Sequence, residues 1–294
     1  MIPHTTPAES FTADPGKFAA SIRQGPEGCS IAILGLPDDT GVRLNGGRPG
    51  AREGPAAFRR ALARYGVAQP LGIEWPRVLD VGDIIPAGGD DEAALGETHA
   101  RIANAAAILT GMGMIVVGIG GGHDLTFPLV QGVATVHGTM QGVYYDAHLD
   151  VRETIGSGMP FRRLIETRAC KSLTLHGFNP FVNSRTHTEW FKNNGGRFAA
   201  ERSDFALDFP NDRAFVSVDL DSIDSSQAPG VSALNPCGLD VDFVARGARQ
   251  AGRDPRVKCF DIMELCPVHD VDGRTARVAA HIFLSFLRGV SERS

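Results

Sequence analysis

The sequence has 294 residues, 43% hydrophobic and 21% charged, with 29 Lys and Arg against 34 Asp and Glu for a formal net charge of -5. A chain of this length and balance can bury a large core, which excludes a disordered, collagen-like or disulfide-stapled protein. The acidic balance removes the bulk attraction that nucleic-acid binders and membrane-surface proteins carry, so the expected partner is a small molecule, with no nucleic acid and no membrane.

The first residues, rich in Thr, Pro and Ser, read as a loose tail over 1–15 and lack the basic start and apolar run of a signal peptide. From there short β-branched runs alternate with helical periodicity. A strand at 30–34 is followed by a glycine-rich stretch and a helix at 56–65, and a strand at 77–81 by a helix at 92–110. The strand at 114–119 runs into GIGGGHDLTF (118–127) and a helix at 126–136. The strand at 142–145 runs into VYYDAHLDVRE (143–153) and a helix at 160–169, and a strand at 172–175 precedes a helix at 188–194. The strand at 214–218 opens VSVDLDSID (216–224) before a helix at 243–251, and the last pair is 257–262 and 275–287. Such alternation predicts an α/β fold with a mostly parallel sheet of seven to eight strands and helices on both faces. No linker interrupts it, so 1–294 is expected to be a single domain. Five cysteines without CxxC spacing fit reduced thiols in a cytoplasmic protein, and no apolar run reaches the roughly 18 residues a membrane span needs. Glycine, at 35 residues, exceeds the roughly 7% of an average protein and points to sharp turns at defined places.

Three of the strands end in acidic and imidazole groups, and the crevice beyond the carboxyl ends of a parallel sheet is where ligands bind. Asp146, His148 and Asp150 stand two apart, as do Asp219 and Asp221, so an extended chain projects each set to one side. With His123 they make four carboxylates and two imidazoles, which cannot share a crevice without counter-charge. A pair of divalent cations supplies it. Carboxylate-rich ligation without thiolate suits Mn²⁺, and two such ions about 3.5 to 4 Å apart lower the pKa of a bridging water, which is hydrolase chemistry. Taken singly, an Asp after a strand is a turn or cap residue and a lone His a satisfied polar group; the three spacings together favour ligation.

At these residues the chain resembles the ureohydrolase superfamily of arginases, agmatinases and formimidoylglutamases. LPDDTGVRLNGGRPGAREGPAAFRRAL (36–62) is similar to that family's glycine-rich stretch, and GGGHD, DAHLD, SVDLDSID and FDIMELCP (260–267) follow in the family's order. The resemblance implies a three-layer α/β/α arginase-like fold with two Mn²⁺ per chain. It implies that His123, Asp146, Asp150 and Asp219 hold one ion and Asp146, His148, Asp219 and Asp221 the other. It gives Asp150 a proton-transfer role and Glu264 that of a clamp on a cationic amidine or guanidine, which a carboxylate can hold by two hydrogen bonds. A homo-oligomer is also implied.

Two further segments, SGMPFR (157–162) and APGVSALNP (228–236), resemble the formimidoylglutamase branch more than the arginases or agmatinases. A substrate with an amidine at one end and carboxylates at the other needs a cationic partner, and Arg162, with Arg48 behind it, is the expected one. The resemblance thus implies hydrolysis of N-formimidoyl-L-glutamate to L-glutamate and formamide, in histidine degradation. The alternative is a guanidine-hydrolysing ureohydrolase, such as an arginase, agmatinase or guanidino-acid hydrolase, releasing urea.

Overall fold

The structure, a computed structural model, describes residues 2–8, 14–66, 74–200, 203–209 and 211–293. Its strands are β1 (Thr5–Thr6), β2 (Ile31–Leu36), β3 (Val78–Ile84), β4 (Ile115–Gly120), β5 (Met140–Tyr145), β6 (Cys170–His176), β7 (Gly196–Phe198), β8 (Ala214–Asp219) and β9 (Val257–Met263). They form one sheet in the order β1-β3-β2-β4-β9-β8-β5-β6-β7. Every pairing is parallel except that of β1 with β3.

The central strands are mostly apolar because both faces are covered: every residue of β2, β4, β5 and β8 is buried, Gln141, Ser217 and Asp219 among them. The helices are α1 (Thr40–Leu44), α2 (Gly54–Leu62), α3 (Glu92–Gly111), α4 (Thr126–His137), α5 (Pro160–Glu166), α6 (Arg185–Asn193), α7 (Val241–Arg253) and α8 (Arg274–Ser291). Alternate residues of β2 part the core in two. Ile31 and Ile33 join Phe58 of α2, Val244 of α7 and Phe283 of α8, while Ala32, Leu34 and Leu36 join Leu95 of α3, Leu129 of α4, Phe161 of α5 and Phe191 of α6. The result is the expected three-layer α/β/α arrangement. Helix starts follow local chemistry: Asp91 accepts from Ala94 N at the head of α3, Ser184 accepts from His187 N at the head of α6, and α2 and α5 carry Pro in the first turn.

Among the described residues the sheet has nine strands rather than seven or eight. The two extra ones are short edge strands, too brief for any period-2 signal: β7 pairs with β6 through Leu173 to Leu175, and β1 sets Thr5 against Ile84 and Thr6 against Asp83. Part of the expected 1–15 tail is therefore tied to the sheet edge, while its residues 1 and 9–13 lie outside the described residues.

Chain order and spatial order differ in a way that builds the crevice. The chain lays down β2 to β4 on one side and β5 to β7 on the other, and only then returns with β8 and β9 to fill the space between β4 and β5. The four adjacent carboxyl ends of β4, β9, β8 and β5 consequently belong to segments far apart in sequence.

Candidate metal centre

Each of these four ends turns sharply, and each turn is pinned. After β4, Gly121 N donates to Leu36 O and Gly122 N to Asp38 O. A Cβ on Gly121 would lie 1.9 Å from Asp38 O, a backbone atom that cannot yield, so only glycine passes here before His123. After β5, His148 N donates to Asp146 Oδ1 at 2.6 Å, Asn183 Nδ2 donates to Ala147 O at 2.8 Å, and Leu149 N donates to Asn183 Oδ1 at 2.9 Å. After β8, Asp221 N donates to Asp219 Oδ1 at 2.7 Å. Asp150 and Glu264 hold left-handed backbone, with φ of 49° and 65°, a conformation costly for side chains other than glycine.

These turns bring the six residues together. His123 Nδ1 lies 2.9 Å from Asp150 Oδ2, 3.0 Å from Asp219 Oδ2 and 3.2 Å from Asp146 Oδ2. His148 Nδ1 lies 3.3 Å from Asp146 Oδ1 and 3.2 Å from Asp221 Oδ2. Two clusters result, His123 with Asp146, Asp150 and Asp219, and His148 with Asp146 and Asp221, their donor atoms within 4.8 Å of one another. Asp146 stands in both. Asp219, expected in both, falls in the first, its Oδ1 taken by Asp221 N.

The donor atoms fit divalent cations. His123 Nδ1, Asp146 Oδ2 and Asp221 Oδ1 are buried without a hydrogen-bond partner, although His123 Nδ1 has three carboxylates around it. Buried polar atoms left unpaired are costly, so lone pairs converging this way describe the shell of a cation. Electrostatics says the same. Burial, then Asp150 and Asp221, raises the Asp146 carboxyl above its ordinary range, and burial, then Asp221 and Asp146, lifts Asp219 well above it. Burial alone would depress both imidazoles, yet Asp219, Asp146 and Asp150 hold His123 well above its usual value, and Asp221 and Asp146 raise His148. The pocket retains protons in the absence of another positive charge.

Support for His123 comes from two residues that the spacing did not single out. Its Nε2 lies 3.0 Å from Ser217 Oγ, and Ser217 donates in turn to Asp261 Oδ1 at 2.6 Å. With its own proton given to Asp261, Ser217 can only accept from His123, which fixes one imidazole proton on Nε2 and leaves Nδ1 as the nitrogen that would face a cation once its own proton is lost. A carboxylate in the middle of the buried strand β9 was the available signal.

Glu264 stands over this centre from β9. Its N donates to Gly121 O, its Oε1 accepts from His123 N at 2.9 Å, and its Oε2 is buried without a partner. Burial, with Asp221 second, pushes its carboxyl up to about 8. The two arginines expected to meet substrate both have partners within the protein. Arg162 donates to Glu153 and Glu166, both at 2.8 Å, and stacks 4.7 Å from the Trp190 ring centroid. Arg48 donates to Val231 O at 2.7 Å and to Ser232 O at 2.8 Å, locking one crevice loop to another. These bonds occupy Nε and Nη2 of each guanidinium, which sequence spacing had no means of showing.

Residues 29–288 match the arginase family. Among curated relatives, the formimidoylglutamase of Halobacterium salinarum is 32% identical over 276 residues, covering 87% of each chain, and that of Halalkalibacterium halodurans is 29% identical over 265 residues, covering 82% of each. Among solved structures, the formiminoglutamase of Trypanosoma cruzi with Mn²⁺ superposes with a TM-score of 0.83 at 28% identity, over 96% of this chain and 100% of that one.

Proposed function

The chain belongs to the arginase family, and from that premise we propose that it is a two-manganese hydrolase converting N-formimidoyl-L-glutamate and water to L-glutamate and formamide. The observation that carries this reading is the pair of buried His and Asp clusters sharing Asp146, with the free Oε2 of Glu264 beside them. In this reading His123, Asp146, Asp150 and Asp219 would hold one ion, and Asp146, His148 and Asp221 the other, which Asp219 would join through the oxygen that now accepts from Asp221 N. Two divalent ions bound there would offset the carboxylate charge and bring a water close enough to ionisation to attack at neutral pH.

The protein's own groups do the rest. Glu264 Oε2 accepts hydrogen bonds from the planar amidinium and, held by His123 N, fixes its carbon against the clusters. Asp150, at the open side of the first cluster with its carboxylate 13% exposed, receives the proton of the attacking water and passes it to the departing amine nitrogen of glutamate. Glu153, Glu166 and Trp190 make Arg162 a brace for the segment after Asp150 rather than a substrate contact.

A substrate panel on manganese-reconstituted protein, with formamide and urea measured separately, tests the reaction. Formamide and glutamate from formimidoylglutamate are expected, lost on chelation; urea from a guanidino substrate at a higher kcat/KM would replace the reading with the guanidine alternative. The proposal extends to a cytoplasmic homo-oligomer. The five described cysteines are all unpaired, as suits a reducing compartment, and light scattering gives the assembly state.

A further inference from the structure

Beside the metal crevice, and lined by none of the six cluster residues, lies a second cavity of about 900 Å³ where the ends of β6 and β7 meet the start of α7. Its walls are aromatic. Phe178 and Phe198 pair at 4.4 Å between ring centroids, and Phe243 lies 5.9 Å from the ring of His176, which itself stacks on Tyr145 at 4.9 Å and 17°. His176 is 3% exposed, and neither of its ring nitrogens has a hydrogen-bond partner among the described residues. Other polar groups of the wall are already committed: Gln227 accepts from Val241 N at 3.0 Å and donates to Asp240 Oδ1 at 3.3 Å, and Asp242 pairs with Arg246.

Buried polar side chains are nearly always paired, so an unpaired imidazole on the wall of a cavity this size marks where a ligand atom belongs. The chemistry of the wall narrows the ligand. Aromatic faces select a flat ring, and a neutral imidazole offers it one donor and one acceptor. Two carboxylates and one guanidinium line the cavity, a balance that disfavours an anion and sets it apart from a site for an acidic amino acid. The two sites touch only through backbone: His176 O accepts from Asp146 N at 3.0 Å, and a Cβ on Gly177 would lie 3.1 Å from Asp146 O.

We propose that this cavity is a second ligand site, for an uncharged nitrogen heteroaromatic of one or two rings that stacks among Phe178, Phe198 and Phe243 and hydrogen-bonds the ring of His176. It stands whichever substrate the metal centre takes. The test is equilibrium dialysis of the manganese-loaded protein with indole, whose N–H can donate to His176 but does not ligate a metal, and with indene, which has the same shape without that N–H. Indole is expected to bind saturably at one per chain, about 2- to 10-fold tighter than indene, with an affinity that saturating L-glutamate leaves unchanged. His176→Phe keeps a ring against Tyr145 and is expected to bring the two probes level. Ala199→Trp fills the cavity from the end of β7 and is expected to abolish binding of both. Equal affinities in the wild-type protein, an advantage for indole that persists in His176→Phe, indole binding that survives Ala199→Trp, or displacement of indole by L-glutamate overturns the proposal. Wild-type protein that takes up no indole overturns it too, and an oligomeric state altered by Ala199→Trp in light scattering would then give the cavity to a second copy of this chain.

Discussion

At the scale of single residues, Asp146 is the side chain on which both clusters depend, its two oxygens facing His123 and His148 respectively. Asp146→Ala is expected to lower kcat by about 1000-fold or more and to take manganese from two ions per chain to below one, counted by elemental analysis. Asp221→Ala touches one cluster and should leave close to one ion. Ser217→Ala removes the acceptor that orders the His123 tautomer, and a manganese affinity about 10- to 100-fold weaker is expected by competition titration. Most of the clustered carboxylates and imidazoles were legible in the sequence because residues two apart on an extended chain share a side, a purely local rule, while His123 was marked by the glycine loop after its strand. Ser217 and Asp261 were not singled out, since their roles depend on which side chain of another segment each one meets. Arg162 is a related case: its sequence setting suggested a substrate contact, while its partners Glu153, Glu166 and Trp190 could not be read from the sequence.

At the scale of elements, long helices and buried strands announced themselves by periodicity, and their limits moved by only a few residues once caps and turns were visible. The exceptions are short. β1 and β7 have two and three residues, and α1 has five, so their stability comes from neighbours rather than from any pattern of their own. Element ends can be tested directly. Ser184 caps α6 through His187 N, and Ser184→Ala is expected to cost about 1 kcal/mol in denaturant unfolding. Phe283 of α8 meets Phe58 of α2 edge-on at 5.4 Å and Phe18 at 6.3 Å, all three fully buried, so Phe283→Ala should cost about 3 to 5 kcal/mol. Gly121→Ala would drive a methyl into Asp38 O and is expected to displace the β4 turn, costing about 1 to 3 kcal/mol and most of the activity together.

At the scale of the whole molecule, the parallel three-layer architecture was legible from strand and helix alternation, whereas the strand order was not, because register and neighbour choice are set by long-range packing. The buried charges also act collectively. Burial lifts the carboxyl of Asp261 to about 6 and that of Glu264 to about 8, and it raises Asp146 and Asp219. Above the ordinary carboxylate range the folded metal-free chain thus holds protons that the unfolded chain has released, and it loses that advantage as pH climbs through the folded values. The raised imidazoles of His123 and His148 act in the same direction. The Tm of chelated protein is therefore expected to fall between about pH 5.5 and 8.5, and added Mn²⁺ to raise it most at the alkaline end, where cations compete with fewer protons. A Tm that rises with pH in the chelated protein would refute this account. The late insertion of β8 and β9 has a bearing on synthesis. A ribosome that has released everything through β7 has already made His123, Asp146, His148 and Asp150, but Asp219, Asp221 and Glu264, and the two strands that hold the halves of the sheet side by side, are still to come. The nascent chain thus has no complete place for a cation until its last third has threaded into the middle of the sheet, which makes metal capture a closing step and an inspection of finished folding.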